Sequence, residues 1–180
     1  MKNTSKILSL LLRHKPEAAN LRLDKNGWAD VEDLILKFST KYYYLDRSIL
    51  ERVVAENNKK RFTFNHDGSK IRANQGHSIK VELDLKSQEP PAILYHGTAK
   101  RFLESIMEKG LIAGQRNHVH LSDNLETAIM VGKRHGKVIV LEIDTEAMLN
   151  DGKEFYLSKN GVWLTNKVAS QYLNIRFLNV

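Results

Sequence analysis

The apolar residues of this chain change their rhythm along its length, and those changes leave little freedom in what it can fold into. Ile7, Leu8, Leu11 and Leu12 recur at helical spacing. Thr4 or Ser5 can cap that helix, and Pro16 stops it, so Arg13 and His14 fall in its last turn. A turn at Lys25-Asn26-Gly27 precedes Trp28, and Asp30 is placed to cap a second helix carrying Val31, Leu34, Ile35 and Phe38. Asp46 opens a third, with Ile49, Leu50, Val53 and Val54 on one face. The period then falls to two. Arg61-Phe62-Thr63-Phe64, a turn at Asp67-Gly68 and Lys70-Ile71-Arg72-Ala73 read as a short β-hairpin.

Three short helices followed by a hairpin is the pattern of a winged-helix module, which binds nucleic acid in some proteins and only other proteins in others. Ile79, Val81, Leu83 and Leu85 alternate as a strand would, until Lys86-Ser87-Gln88-Glu89-Pro90-Pro91 breaks the pattern. That break divides the chain into lobes 1–88 and 89–180. The second lobe reads as a strand from Ile93 to Tyr95, a helix with Phe102, Leu103, Ile106 and Met107 closed by Gly110, and a strand from Val119 to Leu121. A helix with Leu125, Ala128 and Ile129 follows, capped by Ser122 or Asp123. Strands at Val138 to Ile143, near Phe155 and at Val162 to Leu164 complete an α+β lobe in which strands dominate. Trp28 and Trp163 read as core anchors.

Composition narrows the chemistry. The 180 residues contain no cysteine, which excludes disulfides, thiolate catalysis and cysteine-ligated zinc. His66, His77, His118 and His135 lack metal-ligand spacing. The N-terminus has no secretory pattern, and no apolar run approaches the roughly 18 residues that span a bilayer. A cytoplasmic, soluble, monomeric protein is expected. The net charge of +7 favours anionic partners, and most of the excess lies in residues 1–90, with seventeen basic against twelve acidic side chains.

Arginine and histidine recur at the ends of elements, in Leu12-Arg13-His14-Lys15-Pro16, Lys59-Lys60-Arg61-Phe62, Tyr95-His96-Gly97-Thr98, His118-Val119-His120-Leu121-Ser122 and Lys133-Arg134-His135-Gly136-Lys137. Core packing has no use for them there, and a site holding several phosphates does. Taken singly, each has an ordinary reading. Arg13-His14 complements a helix dipole, Arg61 is a solvated strand end, His96 is a core histidine and Arg134-His135 is a charged last turn.

In order along the chain these strings, together with Asn26-Gly27-Trp28-Ala29-Asp30, Ile71-Arg72-Ala73-Asn74-Gln75-Gly76-His77-Ser78 and Asn160-Gly161-Val162-Trp163-Leu164-Thr165, resemble the RNA 2′-phosphotransferase family. These are NAD-dependent enzymes that remove a tRNA splice-junction 2′-phosphate. The resemblance implies a winged-helix RNA lobe, then an ADP-ribosyltransferase-like lobe that binds NAD, with the active site in the cleft between. It places the catalytic set on Arg13, His14, Arg61 and Arg134, and NAD-binding positions on His96, Gly97, Thr98, His120 and Ser122. Two local departures, Val138 where the family often has proline and the aromatic run Tyr42-Tyr43-Tyr44, touch none of these positions.

The resemblance implies two steps. The RNA 2′-phosphate attacks the nicotinamide riboside carbon of NAD and expels nicotinamide. The ribose 2″-hydroxyl then attacks that phosphate, releasing 2′-hydroxyl RNA and ADP-ribose 1″,2″-cyclic phosphate. A phosphate monoester is anionic near neutral pH, so the first step needs positioning rather than a base. Gly161 to Thr165 offers no carboxylate, which suits a phosphate acceptor better than a protein one. Guanidinium forks at Arg13, Arg61 and Arg134 are expected to hold the phosphate, and His14 to transfer a proton or hydrogen-bond it. Two other readings are an ADP-ribosyltransferase that stops after the first step and a non-catalytic RNA-binding protein.

Overall fold

Helix α1 (Lys2–Arg13) buries Leu8, Leu11 and Leu12 completely and turns Lys2 and Lys6 to solvent, the apolar stripe of an amphipathic helix. The computed structural model describes residues 2–176. The helix begins ahead of the expected cap, because tertiary partners engage both candidate hydroxyls. Thr4 is buried and accepts from the Tyr43 hydroxyl at 3.0 Å, and Ser5 Oγ accepts from Asn57 Nδ2 at 3.1 Å. At the other end Pro16 opens a 3₁₀ turn, Pro16–Ala19, so His14 lies just past the helix instead of within it. The Arg13 carbonyl, left over by the last turn, accepts from the backbone N–H groups of Ser78 at 2.9 Å and Ile79 at 3.4 Å.

Strand β1 (Ala29–Asp30), helices α2 (Val31–Lys41) and α3 (Arg47–Ala55), and strands β2 (Phe62–Phe64) and β3 (Lys70–Ala73) follow. Asp30 and Asp46 cap as expected, accepting from Asp33 N at 2.8 Å and Ile49 N at 2.7 Å. The hairpin pairs Phe62 with Ala73 and Phe64 with Ile71, and β1, too short to show a period, adds to β3 in the order β1-β3-β2. Leu8, Leu11, Leu12, Leu34, Phe38, Leu50 and Ile71 form one core with no exposed surface.

The strand expected over residues 79–85 does not form. Val81 and Leu85 are partly buried, Leu83 is buried and the residues between them are exposed, so the alternation correctly reports a half-buried segment. It has no ladder partner among the described residues. Instead it straps across the turn at Lys25-Asn26-Gly27: Glu82 N–H donates to the Lys25 carbonyl at 2.8 Å, and Asn26 Nδ2 donates to the Glu82 carbonyl and the Asp84 carboxylate. Asp84 adopts φ +51, which no strand tolerates. Arg72 is buried beneath, stacked 4.4 Å over Trp28, with its guanidinium donating to the Asn26 carbonyl at 3.3 Å. Trp28 is therefore a half-buried platform for a cation and not a core anchor.

The chain divides into two compact units, Met1–Asp84 and Leu85–Val180. Residues 85–88 thus go with the second unit, where Ser87 bridges Tyr156 and Gln88 N–H donates to the Phe155 carbonyl at 2.8 Å. This unit contains β4 (Ile93–Ala99), α4 (Leu103–Lys109), β5 (Leu111–Ile112), β6 (Val119–Leu121), α5 (Leu125–Lys133), β7 (Val138–Asp144), α6 (Thr145–Asn150), β8 (Tyr156–Leu157), β9 (Trp163–Thr165), β10 (Lys167–Val168) and β11 (Leu173–Arg176). Antiparallel sheets form in the orders β11-β7-β4, β6-β9-β8 and β10-β5, and a single bridge from Tyr95 to Ser122 links β4 to β6. The core joins Leu94, Leu121, Leu141, Ile143, Met148, Phe155 and Trp163, the last as expected. The cap of α5 is Asn124, which accepts from Thr127 N at 2.8 Å, because Ser122 is held by the bridge and a local turn. Phe102 and Met107, expected on an inner helix face, are exposed. The protein is thus α+β in both units, and among the described residues no helix is long and apolar enough to cross a membrane.

Candidate functional site

In the first unit, Arg13 and Arg61 line one concavity of about 710 Å³ together with Lys2, Lys6 and Lys59. Arg13 enters it from the C-terminal end of α1, half-buried beside Gly76, whose φ of +85 turns the backbone there and where a Cβ would stand 3.5 Å from Arg13 Nη1. Arg61 precedes β2 and its Nη1 donates to Asn57 Oδ1 at 3.3 Å. Asn57 is a hub: the same oxygen accepts from Lys59 N at 3.1 Å, and its Nδ2 reaches Ser5 on α1. The left-handed Lys60, φ +41, reverses the chain between them, with its carbonyl accepting from Asn74 Nδ2 at 2.5 Å. A second concavity, about 750 Å³, carries Glu17 and Asp33 against Arg22 and Lys37 and so presents no net charge.

His14 shares a 2.9 Å hydrogen bond between its Nδ1 and Ser78 Oγ. Since Ser78 N–H also binds the Arg13 carbonyl, one residue fixes both the helix end and the imidazole.

In the second unit, the Tyr95–Ser122 bridge sets His96 beside β6, where His96 Nδ1 donates to the His120 carbonyl at 3.0 Å. The carbonyl can only accept, so the neutral ring carries its proton on Nδ1 and presents Nε2 as an acceptor. Burial holds His96 below the ordinary histidine range; the bond to His120 opposes this and the nearby His135 adds to it. His120 Nδ1 accepts from Arg116 Nη1 at 3.4 Å. Ser122 Oγ spans a short turn, donating to the Asn124 carbonyl at 3.0 Å and accepting from its N–H at 3.1 Å. His96, His120 and Ser122 are thus gathered at one place.

Gly97 and Thr98 differ. A Cβ on Gly97 would stand 1.7 Å from the Ala128 carbonyl oxygen, so its bareness lets α5 lie directly on β4. Thr98 is buried at the next contact, where its carbonyl oxygen is 2.9 Å from the position of a Cβ on Gly132. Arg134, two residues beyond Gly132, is exposed at the end of α5, and its side chain makes no hydrogen bond or ion pair among the described residues.

Asn57 and Arg116 carry no sequence signal of their own. Ser78 lies in the Gly76-His77-Ser78 string, but only the fold shows that it meets His14.

Residues 1–167 match the model of the RNA 2′-phosphotransferase, Tpt1 / KptA family. A probable RNA 2′-phosphotransferase of Fusobacterium nucleatum is 59% identical over 169 residues, covering 93% of this chain and 94% of that protein. One from Acaryochloris marina is 55% identical over 172 residues, 96% and 95% of the two chains. Another, from Agrobacterium fabrum, is 54% identical over 172 residues, 96% and 92%. With matches of this depth across nearly its whole length, the chain belongs to the RNA 2′-phosphotransferase family.

Proposed function

We propose that this protein is a transferase that removes an internal 2′-phosphate from RNA, of the tRNA splice-junction type. It does so by passing the phosphate to NAD through an ADP-ribosylated RNA 2′-phosphate, giving 2′-hydroxyl RNA, nicotinamide and ADP-ribose 1″,2″-cyclic phosphate. The observation that carries this reading is the family match over residues 1–167, which spans both units.

In this reading the first unit is a winged-helix lobe that holds RNA, supported by its three helices, its β1-β3-β2 sheet and the cationic concavity. Arg13 and Arg61 grip the phosphate from two sides, with Asn57 orienting the Arg61 fork and Ser78 steadying His14 for proton transfer or hydrogen bonding. The second unit is an ADP-ribosyltransferase-like lobe that holds NAD. The donor and acceptor set of His96, His120 and Ser122 fits a polar nucleotide, and Gly97 and Thr98 serve by letting α5 close on β4. NAD supplies the electrophilic ribose carbon. Arg134, uncommitted to any carboxylate among the described residues, completes the catalytic set that the family resemblance implies.

The test is incubation of purified protein with a short RNA bearing one internal 2′-phosphate, with and without NAD, resolving RNA and nucleotide products. NAD-dependent loss of the phosphate with the cyclic phosphate appearing is expected. Accumulation of ADP-ribosylated RNA would refute the second step, and no change in either pool would refute the reading.

A further inference from the structure

The concavity that holds Arg13 and Arg61 is far larger than one phosphate needs. It runs along α1 from Lys2 through Lys6 to Arg13, about 16 Å at the helical rise of roughly 1.5 Å per residue, and is flanked by Lys59 and Arg61 from the segment between α3 and β2. Glu56 is its one carboxylate against those five cations, and serine, asparagine and Val53 supply the rest of the wall. Several charges elsewhere in the unit are paired: Asp33 with Lys37, Glu32 and Glu51 with Arg47, Asp24 with Lys70. Lys2 and Lys6 have no such partner among the described residues, and α1 carries no acidic residue where a solvated helix face would ordinarily intersperse both signs.

We infer that Lys2 and Lys6, with Lys59, form a track for the phosphodiesters flanking the modified nucleotide, so that the first unit grips a length of single-stranded RNA and not the 2′-phosphate alone. The inference rests on the function proposed above and assigns residues that it does not use. The chemistry is that of an electrostatic groove following a nucleic-acid backbone. It carries no base readout, because the cavity wall offers lysines and short polar side chains and no aromatic platform. Binding should therefore tighten with strand length and weaken with salt, with a log–log slope of about −0.7 per phosphate contacted.

The experiment measures binding of full-length protein to unmodified single-stranded RNAs of increasing length and to a 2′-phosphorylated dinucleotide, across a salt series. Lys2→Ala/Lys6→Ala is compared with Lys25→Ala/Lys41→Ala, which removes the same charge from exposed lysines outside the cavity. The track variant should bind the longer strands at least fivefold more weakly, with a salt slope shallower by about 0.7 per lysine, while dinucleotide binding changes less than twofold. All four lysines are exposed, and unchanged circular dichroism and melting would show that the fold persists. Equal weakening by both variants would reduce the effect to net charge and overturn the track. Equal weakening on dinucleotide and long strands would overturn it too, by placing the lysines on the 2′-phosphate. Because no turnover is required, a protein that binds along this track yet removes no phosphate would sink the proposed reaction and leave the track standing.

Discussion

At the residue scale, two of the catalytic candidates in the first unit, Arg61 and His14, are met by neutral side chains. Arg61 is oriented by an asparagine and His14 meets a serine, neutral groups that leave their charge and protons available to an incoming phosphate. Arg13→Ala should lower turnover on 2′-phosphorylated RNA by at least a hundredfold, about 3 kcal/mol of barrier, with the melting temperature little changed. Wild-type-like turnover in that variant would remove Arg13 from the phosphate. His96 allows a prediction about stability. Its folded value lies below the reference of 6.5, so as pH falls through 6.5 the unfolded chain takes up a proton that the folded one refuses. Stability contributed by the neutral ring is thus intact above that pH and declines below it, at up to about 1.4 kcal/mol per pH unit. His118, also lowered by burial, acts in the same direction. His96→Asn keeps a donor for the His120 carbonyl without the titration, and urea midpoints at about pH 7.5 and 5.5 should converge relative to wild type. An undiminished acid loss in the variant would assign it elsewhere.

At the scale of elements, close approach decides the second unit. With the Ala128 carbonyl 1.7 Å from where a Cβ on Gly97 would stand, Gly97→Ala must lift α5 off β4, and Gly132→Ala meets Val138 Cγ2 at 2.6 Å. Gly97→Ala should cost about 3 kcal/mol or more by denaturant unfolding, and Gly132→Ala less, since its tightest backbone contact, the Thr98 carbonyl oxygen, stands at 2.9 Å where the Ala128 oxygen stands at 1.7 Å from Gly97. Equal costs would mean that the helix simply shifts. These elements also show what could be read in advance. The Asp30 and Asp46 caps, the hairpin and the strand at β7 follow from local chemistry and appear where expected. The cap of α1 was illegible because Thr4 and Ser5 are claimed by Tyr43 and Asn57, partners 39 and 52 residues away. The strand at 79–85 misled because period two reports alternate burial, which a strap over the Lys25-Asn26-Gly27 turn produces as well as a ladder does. Of the candidate site, the Arg and His positions stood out as polar residues at element ends, whereas Gly97 could only be a glycine in a strand until α5 was seen to cross it.

At the scale of the whole molecule, most of the buried apolar residues fall into two clusters, each inside one unit and neither sharing a member with the other. Leu34 and Leu141, both without exposed surface, are comparable probes of the two. Either one changed to Ala should cost about 2–5 kcal/mol, the range for emptying a packed core site. Because contact within each cluster carries that cost, the damage should stay local. By hydrogen exchange, Leu34→Ala should lose protection in α1, α2 and β3, and Leu141→Ala in β4, β7 and β11, each leaving the other unit's slowest amides near wild type. The proposed function adds a second readout, because it draws Arg13 and Arg61 from one unit and His96 and Arg134 from the other. Loosening either core should then depress turnover even where the other unit's amides remain fully protected. If protection fell throughout the chain in both variants, the two clusters would be one cooperative core, and lost turnover could no longer be traced to the unit that was changed.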